Sequence, residues 1–590
     1  MEQAGVQYRL TDYLPTTKKE LELRSWSDVD VVLFSGDAYV DHPSFGAAVI
    51  GRLLEAQGLK VALVPQPDWR GDHRDFTKMG RPRLFFAVTA GNMDSMVNHY
   101  TAGKRLRSDD AYTADGKAGA RPDYATIVYC SILKQLYPDV PILLGGIEAS
   151  LRRLSHYDYW SDTLMPGILV ASKADLLVYG MGEKPLLELC ERLDAGESFS
   201  SIQNIKQTVF LQPASNEESD LILRLHSHEE CLLSKRKQAE NFRHIEEESN
   251  KLNANTLIQQ VGSLELVVNP PFPPLSTGEL DRSYEYPYTR LPHPKYKGKT
   301  IPAYEMIKFS VNIHRGCFGG CAFCTISAHQ GKFVMNRSKE SVLREVRLLT
   351  NRDDFKGYLS DLGGPSANMY RMEGRDLTIC ATCKKPSCIH PRICPNLNTD
   401  HGPLLDLYRA VDALPGIKKS FIGSGIRYDL LTNPTSNPSV DKNNQAYFRE
   451  VVFNHVSGRL KVAPEHTSDA VLSIMRKPSF EQFKAFNVQF EKLEDERQRI
   501  SDSGRQQLIP YFISAHPGCT EPDMAHLASE TRKLHFKLEQ VQDFTPTPMT
   551  LATEIYYTGL HPYTLKPTFT ARTKIEKEKQ RSYFFWHQKG

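Results

Sequence analysis

The stretch Ser310–Lys332 reads SVNIHRGCFGGCAFCTISAHQGK and carries three cysteines, Cys317, Cys321 and Cys324, at C-x3-C-x2-C spacing. The preceding run, MIKFSVNI, alternates. Ile307, Phe309, Val311 and Ile313 fall on one face, with Ser310, Asn312 and His314 on the other. A barrel strand of this kind buries its apolar side under helices and turns its polar side to the lumen, so the cysteine loop starts where a barrel keeps its chemistry. Thiolates suit zinc and iron–sulfur clusters. A structural zinc site closes with four ligands, and His314 or His329 is available as the fourth. A cubane cluster held by three thiolates instead leaves one iron open to a small molecule. Gly316, Gly319 and Gly320 let the loop wrap tightly and aim amide N–H groups at sulfur, and Phe323 is placed to wall the open side.

Downstream, SKESVLREVRLLTN reads as a helix with Val342, Leu343, Val346 and Leu349 on one face. FKGYLSDLGG, SFIGSG, GRLKVAPEH and LIPYFISAHPG read as further strand-then-loop units, which together predict a parallel barrel or part of one. Upstream, VVLF, KVALVP, RLFFAV, VPILLGG and ADLLVYG are strands separated by helices such as FGAAVIGRLLEAQG and ATIVYCSILKQLYP. That alternation predicts a doubly wound α/β sheet, which binds ligands at the carboxyl ends of its strands. Thr101–Pro122 reads as a long polar loop, either a solvated insertion or a lid. The charged tract from Glu217 to about Gly262 reads as surface amphipathic helices. Eight prolines between Pro270 and Pro302 predict an extended connector, because proline removes backbone donors.

The glycine-rich three-cysteine loop after a strand resembles the radical S-adenosylmethionine (radical SAM) superfamily. SGDAYVDHPSFGAAVIGRLLE, GNMDSMVNHYTAGKRLRSDDAYT and LLGGIEASLRRLSHYDYWSD, with the cysteine loop, resemble its YgiQ family over nearly the whole chain. The resemblance implies a [4Fe–4S] cluster on Cys317, Cys321 and Cys324, S-adenosylmethionine on the open iron, and one-electron cleavage to a 5′-deoxyadenosyl radical that acts on an unknown substrate. It also implies an electron donor such as flavodoxin or ferredoxin. Gly363 and Gly364 in DLGGPSANMY match the segment that holds the cofactor's amino group, although Pro365 stands where that segment has a Glu. Arg427 in SGIRYDLL and Glu465 in KVAPEH lie at corresponding later strand ends, and either is in reach of cofactor or substrate or forms a plain ion pair. VQDFTPTPMTLATEIYYTG resembles the closing segment of the methylthiotransferase-like branch, so a methyl- or methylthio-transferase is the rival enzyme. The family lends no substrate.

The N-terminal sheet resembles the cobalamin-binding half of some radical enzymes at LLGGIEAS and ADLLVYGMGE. The D-x-H-x-x-G ligand signature is absent, since Asp41-His42-Pro43-Ser44-Phe45-Gly46 has the wrong spacing. A degenerate sheet shaping the substrate cleft is therefore expected ahead of a cobalamin site, with Asn92, Asp94 and His99 on a substrate-facing loop. The predicted divisions are a Rossmann-like domain at 1–265, a connector at 266–300, the barrel at 301–560 with a cysteine-rich insertion at 378–396, and a basic tail at 561–590. The tail is read as a helix on the barrel or an interaction segment. In the insertion, CATCKKPSCIHPRIC holds Cys380, Cys383, Cys388 and Cys394 in a segment too poor in apolar periodicity to fold on its own core. Structural zinc and an auxiliary iron–sulfur cluster fit equally, with simply buried thiols as the plain alternative.

Composition is that of a soluble globular protein of about two to four domains, with 40% hydrophobic and 24% charged residues. Lys+Arg 73 against Asp+Glu 70 gives a net charge of +3, too little for a nucleic-acid footprint, and no nucleic-acid or membrane partner is expected. The lack of an apolar leader core predicts a cytoplasmic protein, where eleven cysteines argue for metal or redox chemistry; seven fall between Cys317 and Cys394, and the isolated Cys130, Cys190, Cys231 and Cys519 read as packing residues. A zinc-stabilised binding protein is the non-enzymatic rival.

Overall fold

A computed structural model describes residues 8–215, 218–500 and 504–588. Residues 1–7 of the leader reading, Glu217 at the start of the charged tract and the last two residues of the tail lie outside these.

The first half is built on one nine-stranded sheet. Its strands are β1 (Val31–Ser35), β2 (Val61–Pro65), β3 (Phe85–Thr89), β4 (Ile142–Leu144), β5 (Leu176–Val178), β6 (Thr208–Pro213), β7 (Ile222–Arg224), β8 (Thr256–Val261) and β9 (Leu264–Val268), in the order β2-β1-β3-β4-β5-β6-β9-β8-β7. The five strands from β1 to β5 are mutually parallel, as expected. Both sheet faces are covered. Val31 and Leu33 enter one core, and Val32 and Phe34, the alternate residues, enter the other.

The charged tract departs from expectation. It contributes β7 and β8 to the sheet, and β8 joins β9 in an antiparallel hairpin across Gly262-Ser263, with Gly262 at φ 61°. A two-residue turn with glycine between alternating strands is the hairpin signal that the high charge concealed. Its helix, Lys235–Ser249, is not a free surface helix, because Gln238 and Phe242 are buried against the second half of the chain while Ile245 enters a core of the sheet. The polar loop is not solvated throughout, and its Tyr112 lines a cavity between the two halves of the chain. Arg121 is buried and ties Asp110 to Asp37 and to the Ala90 carbonyl. β9 runs across position 265, and the proline-rich stretch holds a helix, Thr277–Glu285, started by a Ser276/Glu279 capping box.

The second half carries short parallel strands: β10 (Ser310–Asn312), β11 (Tyr358–Leu359), β12 (Asp361–Gly363), β13 (Lys419–Ser420), β14 (Arg459–Glu465), β15 (Gln507–Ser514) and β16 (Gln540–Asp543). β10 pairs with β12, β11 with β13, and β14, β15 and β16 pair in turn, all parallel. Backbone bonds from Leu362 to Phe421 and from Ile422 to His455 stitch the pieces into a partial barrel. Helices such as Lys339–Thr350 cover it, burying Val342, Val346 and Leu349, with Leu343 half-buried. The strand before the cysteines is shorter than expected. Pro302–Ile307 is a helix with proline at its first position, so Ile307 and Phe309 lie outside the strand, and Val311 and Ile313 alone carry the apolar face into the core. The C-terminal segment is a helix on the barrel, Lys574–Ser582, where the Gln580 amide bonds the backbone of Ala515 and Cys519.

Candidate functional site

Two cavities meet at the carboxyl ends of these strands. The first, about 450 Å³, is lined by Cys317, Cys321 and Cys324 together with Ser366, Arg427, Lys461, Glu465, Lys477 and Tyr511. The second, about 540 Å³, lies between the two halves of the chain. From the sheet it is lined by Gly91, Asn92, Gly145, Gly146 and Gly182, and from the barrel by Asn312, His314, Arg315 and Gly364. Ile326 and Pro365 line both cavities, so the two share a wall.

The cysteine loop leaves its strand through glycines that permit no side chain. A Cβ on Gly316 would sit 2.3 Å from the Phe333 carbonyl oxygen, and one on Gly320 2.2 Å from that of Pro386, each at positive φ. Gly319 N–H donates to Cys317 Sγ at 3.4 Å, and Ser366 Oγ stands 4.0 Å from the same sulfur. Arg427 Nη1 donates to Cys321 Sγ at 3.4 Å, while its other nitrogens grip Asp429 at 2.7 and 3.0 Å. Burial works against the Arg427 charge, but Asp429 and Cys321 outweigh it and hold the guanidinium charged. Burial pushes the Cys317 and Cys324 thiols up, Cys324 to about 12, with the neighbouring sulfurs adding to the shift. Holding these two as thiolates therefore calls for cationic charge nearby. Three thiols on one cavity, amide and hydroxyl donors beside them and a fixed cation at the second are a donor set that fits an iron–sulfur cluster.

Glu465 ends β14 beyond a bulge, with φ 69°. A buried, non-glycine residue in that backbone region is held there at a cost. Burial raises its carboxyl, and Lys477, 3.8 Å away, and Arg427 pull it back. Phe323 lines the same cavity and packs edge-on to His516. Gly363 and Gly364 close β12, but what a Cβ on Gly364 would strike is the His314 imidazole, at 2.5–2.8 Å. His314 is buried, and its ring nitrogens make no well-formed hydrogen bond among the described residues. Burial depresses it to about 3. His329 bonds Ser150 Oγ at 3.1 Å and lines the inter-domain cavity, as His314 does, so neither is brought into the first cavity with the sulfurs.

Of the three loop residues expected to face substrate, Asn92 lines the inter-domain cavity and accepts from Gly46 N–H at 3.0 Å. The other two are structural. Asp94 caps a short helix and pairs with buried Arg152, and His99 bonds Asp123 at 2.7 Å. Asp41 is committed to Arg52 and lines neither cavity, nor does His42. Sequence reasoning missed Arg315, which pairs with Glu183 of the sheet domain and closes the inter-domain wall. Its position two residues before Cys317 was the available signal.

The description "Radical SAM N-terminal" matches residues 13–310. A UPF0313 protein of Bacteroides thetaiotaomicron is 65% identical, over 99% of this chain and 95% of its own length. Another, from Porphyromonas gingivalis, is 64% identical over 98% and 91%, and one from Methanocella arvoryzae 46% identical over 96% and 92%. The chain belongs to the UPF0313 family of radical SAM proteins. This agrees with the family resemblance read from the sequence, and with an enzyme of unassigned reaction. Among solved structures, the radical S-adenosylmethionine methyltransferase TsrM of Kitasatospora setae aligns with TM-score 0.46 at 13% identity, over 88% of this chain and 75% of that one. The cobalamin-dependent enzyme OxsB aligns with TM-score 0.48 at 10% identity, over 95% and 57%. Among the described residues no helix is long and apolar enough to cross a membrane.

Proposed function

We propose that this UPF0313 protein binds a [4Fe–4S] cluster on Cys317, Cys321 and Cys324 and takes S-adenosylmethionine in the same 450 Å³ cavity. Bound together, cluster and cofactor supply one-electron cleavage to a 5′-deoxyadenosyl radical. The chain's residues do the rest. Arg427 offsets thiolate charge at Cys321. Glu465 and Lys477 present a carboxylate and an ammonium to the zwitterionic end of the cofactor, while Gly363 and Gly364 lead into Pro365 on the wall between the two cavities. The inter-domain cavity, separated from the first by Ile326 and Pro365, receives the substrate and keeps it away from bulk water. The electron comes from a small acidic carrier of the flavodoxin or ferredoxin type. The observation that carries this reading is the convergence of three loop thiols, Arg427 and Glu465 on one cavity that adjoins a second.

The test is spectroscopic. Anaerobically reduced protein should give an iron–sulfur electron paramagnetic resonance signal that changes shape when S-adenosylmethionine is added. A signal indifferent to the cofactor refutes an open iron, and zinc without iron favours the binding-protein rival.

A further inference from the structure

Lys332 ends the first cysteine loop and borders a different, smaller cavity from the 450 Å³ one. It is only 2% exposed. Its ammonium donates to the Lys385 carbonyl at 2.9 Å and lies 3.8 Å from Cys383 Sγ. Among the described residues no carboxylate stands within ion-pair distance. Its other neighbour is the Phe333 ring, 5.2 Å away, so a carbonyl, a thiol and an aromatic face stand in for the water that burial removes, and no anion does.

The insertion's other cysteines are tied to the same short segment by local bonds, although among the described residues no three His, Cys, Asp or Glu side chains are already closed around a metal position. Cys383 N–H bonds the Cys380 carbonyl at 3.2 Å, and Cys394 N–H bonds that of Cys388 at 2.8 Å. Asn396, two residues past Cys394, donates to Cys380 Sγ at 3.4 Å. Cys388 and Cys394 rest on a small apolar cluster of Phe318, Met369, Met372, Ile389 and Leu397. A metal held by four thiolates carries net negative charge beside Lys332, where the described residues supply no carboxylate.

We infer that Cys380, Cys383, Cys388 and Cys394 form a second, anionic tetrathiolate metal centre, with Lys332 as its buried counter-charge. The metal is of the thiolate-loving class, zinc or an iron–sulfur cluster. The centre also backs the first cysteine loop. Cys388 N–H bonds the Phe318 carbonyl at 3.0 Å, and the Pro386 carbonyl presses on Gly320. Ordering the insertion thus braces the loop that carries Cys317 and Cys321.

The test uses the full-length C317A/C321A/C324A variant, so that it does not depend on the cluster proposed for the first loop. Purified anaerobically, it should retain about one zinc per chain, or iron and acid-labile sulfide in roughly equal amounts. The sulfide separates the two metals. Adding Cys380→Ser and Cys383→Ser should remove at least about nine-tenths of that metal. A metal-free triple variant whose four insertion thiols react with a thiol reagent overturns the proposal. Should the five-site variant fail to fold, Lys332→Met in the triple background decides. With a metal centre present, this substitution speeds metal loss to a chelator several-fold. With only buried thiols, it raises the melting temperature by removing an unpaired buried charge.

Discussion

Cys317, Cys321 and Cys324 share one cavity with Arg427, Glu465 and Lys461, whereas Cys388 and Cys394 rest on an apolar cluster that Cys317 also touches, Cys394 lines a separate cavity, and Cys383 stands beside Lys332. Both groups are close to the same loop, and each has a buried cation near a sulfur. The difference lies in what remains open. On the assignments proposed above, three thiols beside ionisable groups and free volume leave room for a cofactor, while four would satisfy a metal completely and make it a structural or accessory part. Ligand count and surroundings, more than the cysteines themselves, separate reactive from bracing sulfur.

The comparison breaks most sharply at Arg427. Arg427→Met removes the cation at Cys321 and strands buried Asp429, which should cost about 3–5 kcal/mol of stability. Denaturant titration measures that loss, and metal analysis should find iron missing from the first group but not from the second. Equal losses from both would mean that the groups are not independent. Glu465→Gln sharpens the comparison within the first group. It keeps the shape and every metal but weakens a charge-assisted contact, so cofactor turnover should fall about 10–100-fold at unchanged iron content. Iron lost in step with turnover would recast Glu465 as a support of the fold.

The smallest effect concerns neither group. Glu554 is buried with Gln238 as its hydrogen-bond partner, and burial raises it from 4.5 to about 8. The folded chain therefore binds more protons than the unfolded one between pH 4.5 and 8, and this group's contribution to stability falls as pH rises through that window. Glu554→Gln should flatten the fall, leaving the chain more stable than wild type near pH 8 with both metal contents unchanged. Identical pH profiles would show that the carboxyl does not govern the contact between the Lys235–Ser249 helix and the helix at Leu551–Thr558.

Much of this was legible because local chemistry was explicit. Glycines at 316, 319 and 320, β-branched runs such as VVLF and the cysteine spacing each state a backbone or ligand requirement without tertiary context. The strands β7 and β8 were hidden because they lie in a charged tract whose burial depends on neighbouring strands. The start of β10 was misjudged because helix and strand periods cannot be told apart over a few residues, and Pro302 tipped the balance. Asp94 and His99 looked functional by residue type, yet each has a structural partner, Arg152 and Asp123, that no local pattern announces. Lys332 and Arg315 show the reverse, since burial alone makes an ordinary basic residue informative.

The most direct test of the central claim is product analysis. Anaerobically reconstituted and reduced protein, given S-adenosylmethionine, should release 5′-deoxyadenosine and methionine in equal amounts, slowly even without its substrate. The C317A/C321A/C324A variant should release neither. A fully loaded, reduced protein that forms no 5′-deoxyadenosine would contradict the account, and a methylated or methylthiolated product without that nucleoside would establish the transferase rival instead.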